Sequence, residues 1–364
     1  MFGTGAGSAL VTQMLFSSLM RSPSRFQRAI LQSGPGSANW ASYKPGTPLD
    51  PKQIALRLAE RLNCTLPQDV SPTTTIPASL ARCLRTPSAE DLLAETRRMT
   101  VEEYNSSTIF VPVGRDSFGA LPNFPSALAA DTQNLPKVPV MLGWSTDDSS
   151  WVVKDPDDDG VTFDEFSDLL KALLRGGYTP SVSQQMFPEV LATYNLDDPS
   201  KLSPLDIRDV ACRVATDVKV EAFVVKEARQ LSKAAADSNS DKKTYLYQYD
   251  YRPSYKTTPM WQGVTHVDER AMVMGLPNGT NPYRYPVTSK DDRKVAEMMT
   301  TMWSNFAKYS NPTPQPLAGG VKWPALGNTS DDQQLLVIRP NPVVKQYDRN
   351  PIVELWTGSS GLDD

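Results

Sequence analysis

At 364 residues, 40% of them hydrophobic, the chain can bury a sizeable core as one large α/β domain or two ordinary ones. A formal charge of −4 and a pI near 5.3 leave no basic footprint, so nucleic acid is excluded as an expected partner. No run of about eighteen apolar residues exists to span a membrane, and no signal peptide is expected, because the first motif starts at Met1.

That motif is Met1-Phe2-Gly3-Thr4-Gly5-Ala6-Gly7. It reads as a sharp strand-to-helix turn of the form G-x-S-x-G, with glycine at the place of the serine. The turn would hold a serine hydroxyl above the end of a parallel sheet, but Gly5 has no side chain and can attack nothing. Glycine at the apex also avoids holding an L-residue in a rarely populated φ/ψ region. Gly3 and Gly7 suit a close crossing of strand and helix. Taken alone, the stretch fits a flexible, tag-like N-terminus equally well. A dinucleotide or phosphate loop fits worse, for want of G-x-G-x-x-G spacing, a following lysine and a preceding strand. An elbow needs a strand before it, and part of its oxyanion hole lies upstream. The chain therefore reads as a single, N-terminally truncated domain over residues 1–364, with the N-terminal part of the sheet missing.

Leu10, Val11, Met14, Leu15 and Leu19 recur at helical spacing, as in a buried helix behind such a turn. Next comes Phe26-Gln-Arg-Ala-Ile-Leu-Gln-Ser-Gly34, in which residues 28–33 read as a short buried parallel strand. Together, F-G-x-G-A-G-S and F-Q-R-A-I-L-Q-S-G resemble the type B carboxylesterase/cholinesterase family of α/β-hydrolases. Most of its members carry Glu-Ser where this chain has Thr4-Gly5. The subgroup the chain resembles is the neuroligins, cell-adhesion members whose elbow also has glycine in place of serine.

Asp50 as N-cap and Pro51 at the first position open a helix with the stripe Ile54, Ala55, Leu58, Ala59 and Leu62. Thr86-Pro87 starts another, carrying Leu92 and Leu93; the resemblance assigns both helices to a cap over the sheet. Residues 110–113 and 122–125 resemble the family's F-x-P-V-x-D-G…P segment, with Gly114-Arg115-Asp116 departing from it. Residues 138–143 form a strand, 160–209 are helical and irregular, and 218–234 form a helix. The tyrosines at 245, 247, 249 and 251 mark a strand over 244–251. The last helix opens on Ser289 and Asp292 in a near capping box and buries Val295, Met299, Met302 and Phe306. Its M-W-S-N-F-A-K-Y-S-N-P resembles the family's W-x-N-F-A-K-x-x-x-P, and residues 335–338 read as an edge strand. Strands alternating with helices give a doubly wound, mostly parallel α/β sheet.

α/β-hydrolases order their triad Ser…Asp/Glu…His. The corresponding positions are Gly5, Asp148 and His266, the only histidine of the chain. Residues 263–277 are similar to the family's catalytic-histidine segment. Asp148 stands where the family has the glutamate of G-x-N-x-x-E-G; it either orients His266 or is an ordinary solvated loop carboxylate. The triad reads as vestigial. Asp155-Pro-Asp157-Asp-Asp159-Gly160 begins like an EF-hand loop, but Phe166 stands at the twelfth position. An acidic surface loop fits better than calcium, and neither metal nor cofactor is expected.

By resemblance, Cys64 and Cys83 flank the family's short disulfide loop, and Cys212 is left free or for an intermolecular bond. Two buried cytosolic thiols are the alternative. The sequons at Asn63, Asn105, Asn278 and Asn328 favour an extracellular, cell-surface location. The resemblance implies a non-catalytic ectodomain that binds a neurexin-like partner on an apposed cell, with calcium largely on the partner's side. It also implies a homodimer through a helical bundle, of which residues 353–356 begin a largely missing helix. Any membrane span lies in segments absent from this chain. The rivals are an esterase that has lost its nucleophile and a gliotactin- or glutactin-type junction or matrix protein.

Overall fold

A computed structural model describes residues 1–20, 26–44, 47–65, 77–103, 109–116, 118–133, 135, 137–175, 177–238, 240–275, 289–317, 319–327, 329 and 332–358. Its six strands lie side by side in chain order: β1 (Phe2–Thr4), β2 (Ala29–Gln32), β3 (Val140–Ser145), β4 (Thr244–Tyr249), β5 (Gln334–Ile338) and β6 (Val343–Gln346). The first five are parallel and β6 returns antiparallel to β5. The helices are α1 (Ala6–Phe16), α2 (Pro51–Arg61), α3 (Ala78–Cys83), α4 (Ala89–Arg98), α5 (Pro125–Ala130) and α6 (Phe163–Arg175). They continue with α7 (Pro180–Thr193), α8 (Pro204–Thr216), α9 (Ala222–Asp237), α10 (Arg270–Val273), α11 (Lys290–Tyr309) and α12 (Asn350–Thr357).

Successive side chains on a strand point to opposite faces, and here both faces are covered. Leu31, Leu142, Leu246 and Val337 pack on one side with Leu15 of α1, Val224 and Leu231 of α9 and Val353 of α12. Ile30, Met141, Tyr245, Tyr247, Tyr249 and Leu336 pack on the other with Val295, Met299, Met302 and Phe306 of α11. That is the expected α/β-hydrolase arrangement, a mostly parallel sheet with helices on both sides. A third core joins α6, α7 and α8, and α2 packs in a smaller one with Tyr43, Met99 and Ile109.

Several expectations shift. Residues 335–338 are not an edge: β5 lies between β4 and β6, and β6 gave little signal because its four residues end in the polar pair Lys345-Gln346. On α1, Val11 and Leu15 are buried, whereas Leu10 and Met14 are exposed, as is Leu19, which lies beyond the end of the helix. Its inward face also takes Ser8 and Thr12, small side chains that fit beneath Gly34 and Gly36. The helix expected from Thr86-Pro87 starts at Ala89, because Ser88 caps it by accepting from the Asp91 amide at 3.0 Å. β3 runs two residues later than expected, so Trp144 and Ser145 belong to the strand. The 218–234 helix is entered through a π-helical turn, Asp217–Glu221, which makes α8 and α9 continuous.

Tyr251 lies beyond β4, and its hydroxyl donates to Asp292 Oδ1 at 2.7 Å. The helix read as the last is followed by α12, whose Val353 and Trp356 are buried within their own chain. Asp50 caps α2 as expected, accepting from Lys52 and Gln53. Cys64 and Cys83 are disulfide-bonded, with Cα atoms 5.9 Å apart, and Cys212 is free and buried. On the chain-entropy account, such a loop contributes about 3 kcal/mol. Asn63 is exposed, whereas Asn105, Asn278 and Asn328 lie outside the described residues. Among the described residues no helix is long and apolar enough to cross a membrane.

Asp292 locks the loop after β4 to the start of α11. It completes the capping box with Ser289 and accepts the Ser254 amide at 3.0 Å as well as the Tyr251 hydroxyl. Burial works to raise its pKa, but the hydrogen bonds from Ser254, Tyr251 and Ser289 outweigh it and hold the carboxyl at about 2. The folded value lies below the ordinary 3.8, so the stabilisation is present above about pH 4 and fades as pH falls toward 2. Asp292→Ala should cost about 2 kcal/mol at neutral pH. In urea unfolding, its deficit against wild type should shrink on acidification.

Candidate active site

β1 ends at Thr4 and α1 begins at Ala6, so the chain reverses within the single residue Gly5, at φ 56° and ψ −125°. Its amide donates to the Gln32 carbonyl at 2.8 Å, and its carbonyl accepts the Ala9 amide at 3.0 Å. Positive φ is a conformation L side chains rarely adopt, which suits glycine here. The close crossing rests on Gly3 and Gly34. A Cβ on Gly3 would lie 2.4 Å from the Gly7 oxygen, and one on Gly34 would lie 1.9 Å from the Gly5 oxygen. Gly7 itself would meet nothing within 4 Å, so the crossing needs its backbone and not its lack of a side chain.

Asp148 and His266 come together although 118 residues separate them: Oδ1 lies 2.7 Å from Nδ1. Asp148 is fully buried and is not a solvated loop carboxylate; its other oxygen accepts the Ser145 amide at 2.9 Å. The two loops are zipped at the backbone. The His266 amide donates to the Asp148 carbonyl and the Asp147 amide to the Val264 carbonyl, each at 3.0 Å. The Asp147 carboxylate accepts the Val264 amide at 3.1 Å, and the Ser150 hydroxyl donates to the Gln262 carbonyl at 2.6 Å. Burial pushes Asp147 upward.

The imidazole faces the elbow. A Cβ built on Gly5 would stand 2.6 Å from His266 Nε2 and 3.0 Å from Cε1. Real Cβ contacts do not occur at that range, so the ring occupies space a side chain at position 5 would need. Burial works to lower the His266 pKa, but the Asp148 charge and hydrogen bond outweigh it, and the net shift is upward. Chemically the pair is a base with its orienting acid. Acyl transfer also needs a nucleophile within reach of the base, and position 5 offers none. Ser8, a turn into α1, is fully buried and its hydroxyl has no hydrogen-bond partner among the described residues.

Two residues near the pair escaped sequence reasoning. Glu269 is buried and accepts from Gln32 Nε2 at 2.8 Å, while Gln32 Oε1 accepts the Trp303 indole at 3.0 Å. Burial and the Asp148 charge push Glu269 up to about 7. Its only signal was an acidic residue three places after the histidine. Lys219 sits on the π-helical turn, where burial lowers its pKa and the Asp148 charge opposes the shift. Nothing in its helical stretch marked it out.

The acidic loop at 155–160 is not wholly a surface feature. Asp155 is buried, accepts the Asp159 and Gly160 amides at 3.1 Å each, and pairs with Arg208 at 2.7 Å. Asp157, Asp158 and Asp159 are exposed. Among the described residues, no three His, Cys, Asp or Glu side chains are grouped to hold a metal ion.

A family model described as "Carboxylesterase family" matches residues 1–356. The acetylcholinesterase of Bungarus fasciatus is 28% identical over 362 residues, which are 98% of this chain and 54% of that relative. The cholinesterase of Mus musculus is 27% identical over 363 residues, again 98% of this chain and 54% of the relative. The chain thus spans about half the length of the curated relatives it matches.

His266 is the only imidazole, so its ring protons can be followed by NMR without assignment. Its midpoint should lie above the ordinary 6.5, and Asp148→Asn should bring it below the wild-type value. The sign follows: the pairing stabilises the fold fully below pH 6.5, and that share is lost as pH rises through the folded midpoint. Gly5→Ala should destabilise by about 1–3 kcal/mol. In a His266→Ala background the cost should fall, leaving only the positive-φ strain; thermal unfolding of the four proteins gives the coupling.

Proposed function

The chain belongs to the carboxylesterase family, and on that premise we propose that it is a non-catalytic member, an extracellular domain that acts in cell–cell adhesion by binding a protein partner. The observation that carries this reading is the elbow. Position 5 is glycine, and the imidazole lies 2.6 Å from where the first side-chain atom would be. A base without a nucleophile performs no covalent acyl transfer. The disulfide between Cys64 and Cys83 and the exposed sequon at Asn63 support an oxidising, extracellular setting. The likeness of the elbow and of the D-G-V-T segment at Asp159–Thr162 to neuroligins supports adhesion, with a neurexin-like partner on an apposed cell and calcium largely on the partner's side.

A second reading has one observation in its favour. Asp148 and His266 keep a 2.7 Å hydrogen bond, as they would in an esterase silenced by loss of its serine alone. Two measurements separate the readings. Secreted protein should show no saturable ester hydrolysis, and Gly5→Ser should stay at least about a hundredfold below a working esterase, because donors and base must be aligned and not merely present. Cells displaying the chain should aggregate with cells displaying neurexin-type ectodomains in calcium and separate in chelator. Wild-type turnover abolished by His266→Ala would overturn the non-catalytic reading. Efficient turnover by Gly5→Ser would favour the silenced enzyme, and failure to aggregate would count against the partner.

A further inference from the structure

Asp217 and Glu221 stand at the two ends of the π-helical turn between α8 and α9, and both face Arg349 at the start of α12. Their side chains are shut away from solvent, at 0% and 1% exposure, while Arg349 is half-buried. Arg349 grips Asp217 with two parallel bonds, Nη1 to Oδ1 at 2.8 Å and Nη2 to Oδ2 at 2.6 Å. Nη1 also donates to Glu221 Oε1, so one guanidinium serves two carboxylates. The same cluster seats α12. Arg349 immediately precedes its first residue, and near its far end the Trp356 indole donates to the Tyr194 hydroxyl at 2.9 Å. That hydroxyl donates in turn to Asp217 Oδ2 at 2.6 Å. Both ends of the helix therefore hang on Asp217, and Glu221 competes with it for the guanidinium.

The two carboxylates are not equally supplied. Both oxygens of Asp217 are met, by Arg349 and by Tyr194. Glu221 Oε1 takes the Tyr347 hydroxyl at 3.1 Å beside Arg349, but Oε2 is buried without a hydrogen-bond partner among the described residues. A buried carboxylate so half-met is costly, and a proton on the empty oxygen removes its charge. The charged and titratable groups that face Glu221 are Asp217 on its own turn, Arg213 on α8, and Tyr347 and Arg349 from the segment between β6 and α12. Tyr194 at the end of α7 and Arg229 of α9 stand one contact further out, on Asp217 and on the Tyr347 ring. Burial and the Asp217 charge push Glu221 up to about 7, against the pull of Arg349, Arg213 and the Tyr347 bond.

We propose that Glu221 is the proton-sensitive element of a latch on α12. Neutral, it leaves Arg349 to Asp217 and the helix is seated; ionised, it sets two carboxylates around one guanidinium in the interior and loosens the helix. The folded value of Glu221 lies above the ordinary 4.5, so the latch is full below about pH 4.5 and is lost as pH rises through about 7. The device is independent of the elbow and of the adhesion reading.

Hydrogen exchange of the wild-type chain and of Glu221→Gln, read by mass spectrometry on peptides covering α12, tests it. The helix has the same sequence in both proteins, so intrinsic exchange rates cancel at each pH. The other buried groups that titrate in this range, His266, Glu227 and Glu269, are common to both and cancel too. At pH 5 the two proteins should protect α12 equally. At pH 8 Glu221→Gln should protect it at least about tenfold better, because the amide is neutral at every pH. Equal protection at pH 8, or weaker protection in Glu221→Gln at either pH, would overturn the proposal, since an ion pair that merely supports Arg349 is lost in the variant. If Glu221→Gln fails to fold, the wild-type protein decides. Corrected for intrinsic rates, its protection of α12 should fall at least about tenfold from pH 5 to pH 8 while that of α9 holds. A flat profile, or a fall shared equally with α9, would overturn the latch.

Discussion

The contact on which the site depends is the imidazole of His266 held between Asp148 and the backbone of Gly5. On one side is a 2.7 Å hydrogen bond to a fully buried carboxylate. On the other is a turn at φ 56° that presents only hydrogen to Nε2. The ring cannot retreat without breaking its bond to Asp148, and that residue is fixed by the Ser145 amide and by the backbone pairing of the two loops. Any side chain at position 5 must therefore displace the ring, adopt a strained rotamer or move the turn. Glycine is the residue that this arrangement accommodates without strain.

The sheet explains why those three residues meet. In parallel α/β sheets the loops at the carboxyl ends of the strands share one rim. Gly5 follows β1, Asp148 follows β3, and His266 lies in the segment after β4, so chain order becomes proximity. The supports lie deeper. Gln32, at the end of β2, joins Glu269 to the Trp303 indole. Tyr247 of β4 stacks edge-on against Trp303 and Trp323, at centroid distances of 5.3 and 6.0 Å. Asp292 ties the loop after β4 to α11 by four groups on one carboxylate. The loops of the rim are thus anchored to helices on the covered faces and not only to each other.

Much of this was legible in the residues. The β4 strand, the Asp50 and Ser289 caps and the alternation of strands with helices follow from period-2 alternation and capping chemistry, which are local properties. The elbow is legible only through the resemblance of F-G-x-G-A-G-S and F-Q-R-A-I-L-Q-S-G to the family, and β2 through its short apolar run. Asp148 was ambiguous because a carboxylate in a polar loop looks the same whether it ends in water or beneath an imidazole; only its zero exposure decides. β6 was missed because its residues alternate weakly, and β5 was misplaced at the edge as a consequence. The π-helical turn at Asp217–Glu221 has no helical-period signature, so the Asp217 and Glu221 pair that binds Arg349 was out of reach. Leu10 and Met14 misled because helical spacing alone does not say which apolar stripe faces inward.

The central claim is that the elbow has no group that His266 can activate. Treatment of the secreted wild-type protein with a fluorophosphonate, followed by intact-mass spectrometry, tests it most directly, because the reagent reports an activated hydroxyl whatever the natural substrate. The account predicts no added mass beyond the unreactive background. One stoichiometric adduct, mapped beside the elbow and abolished by His266→Ala, would contradict it.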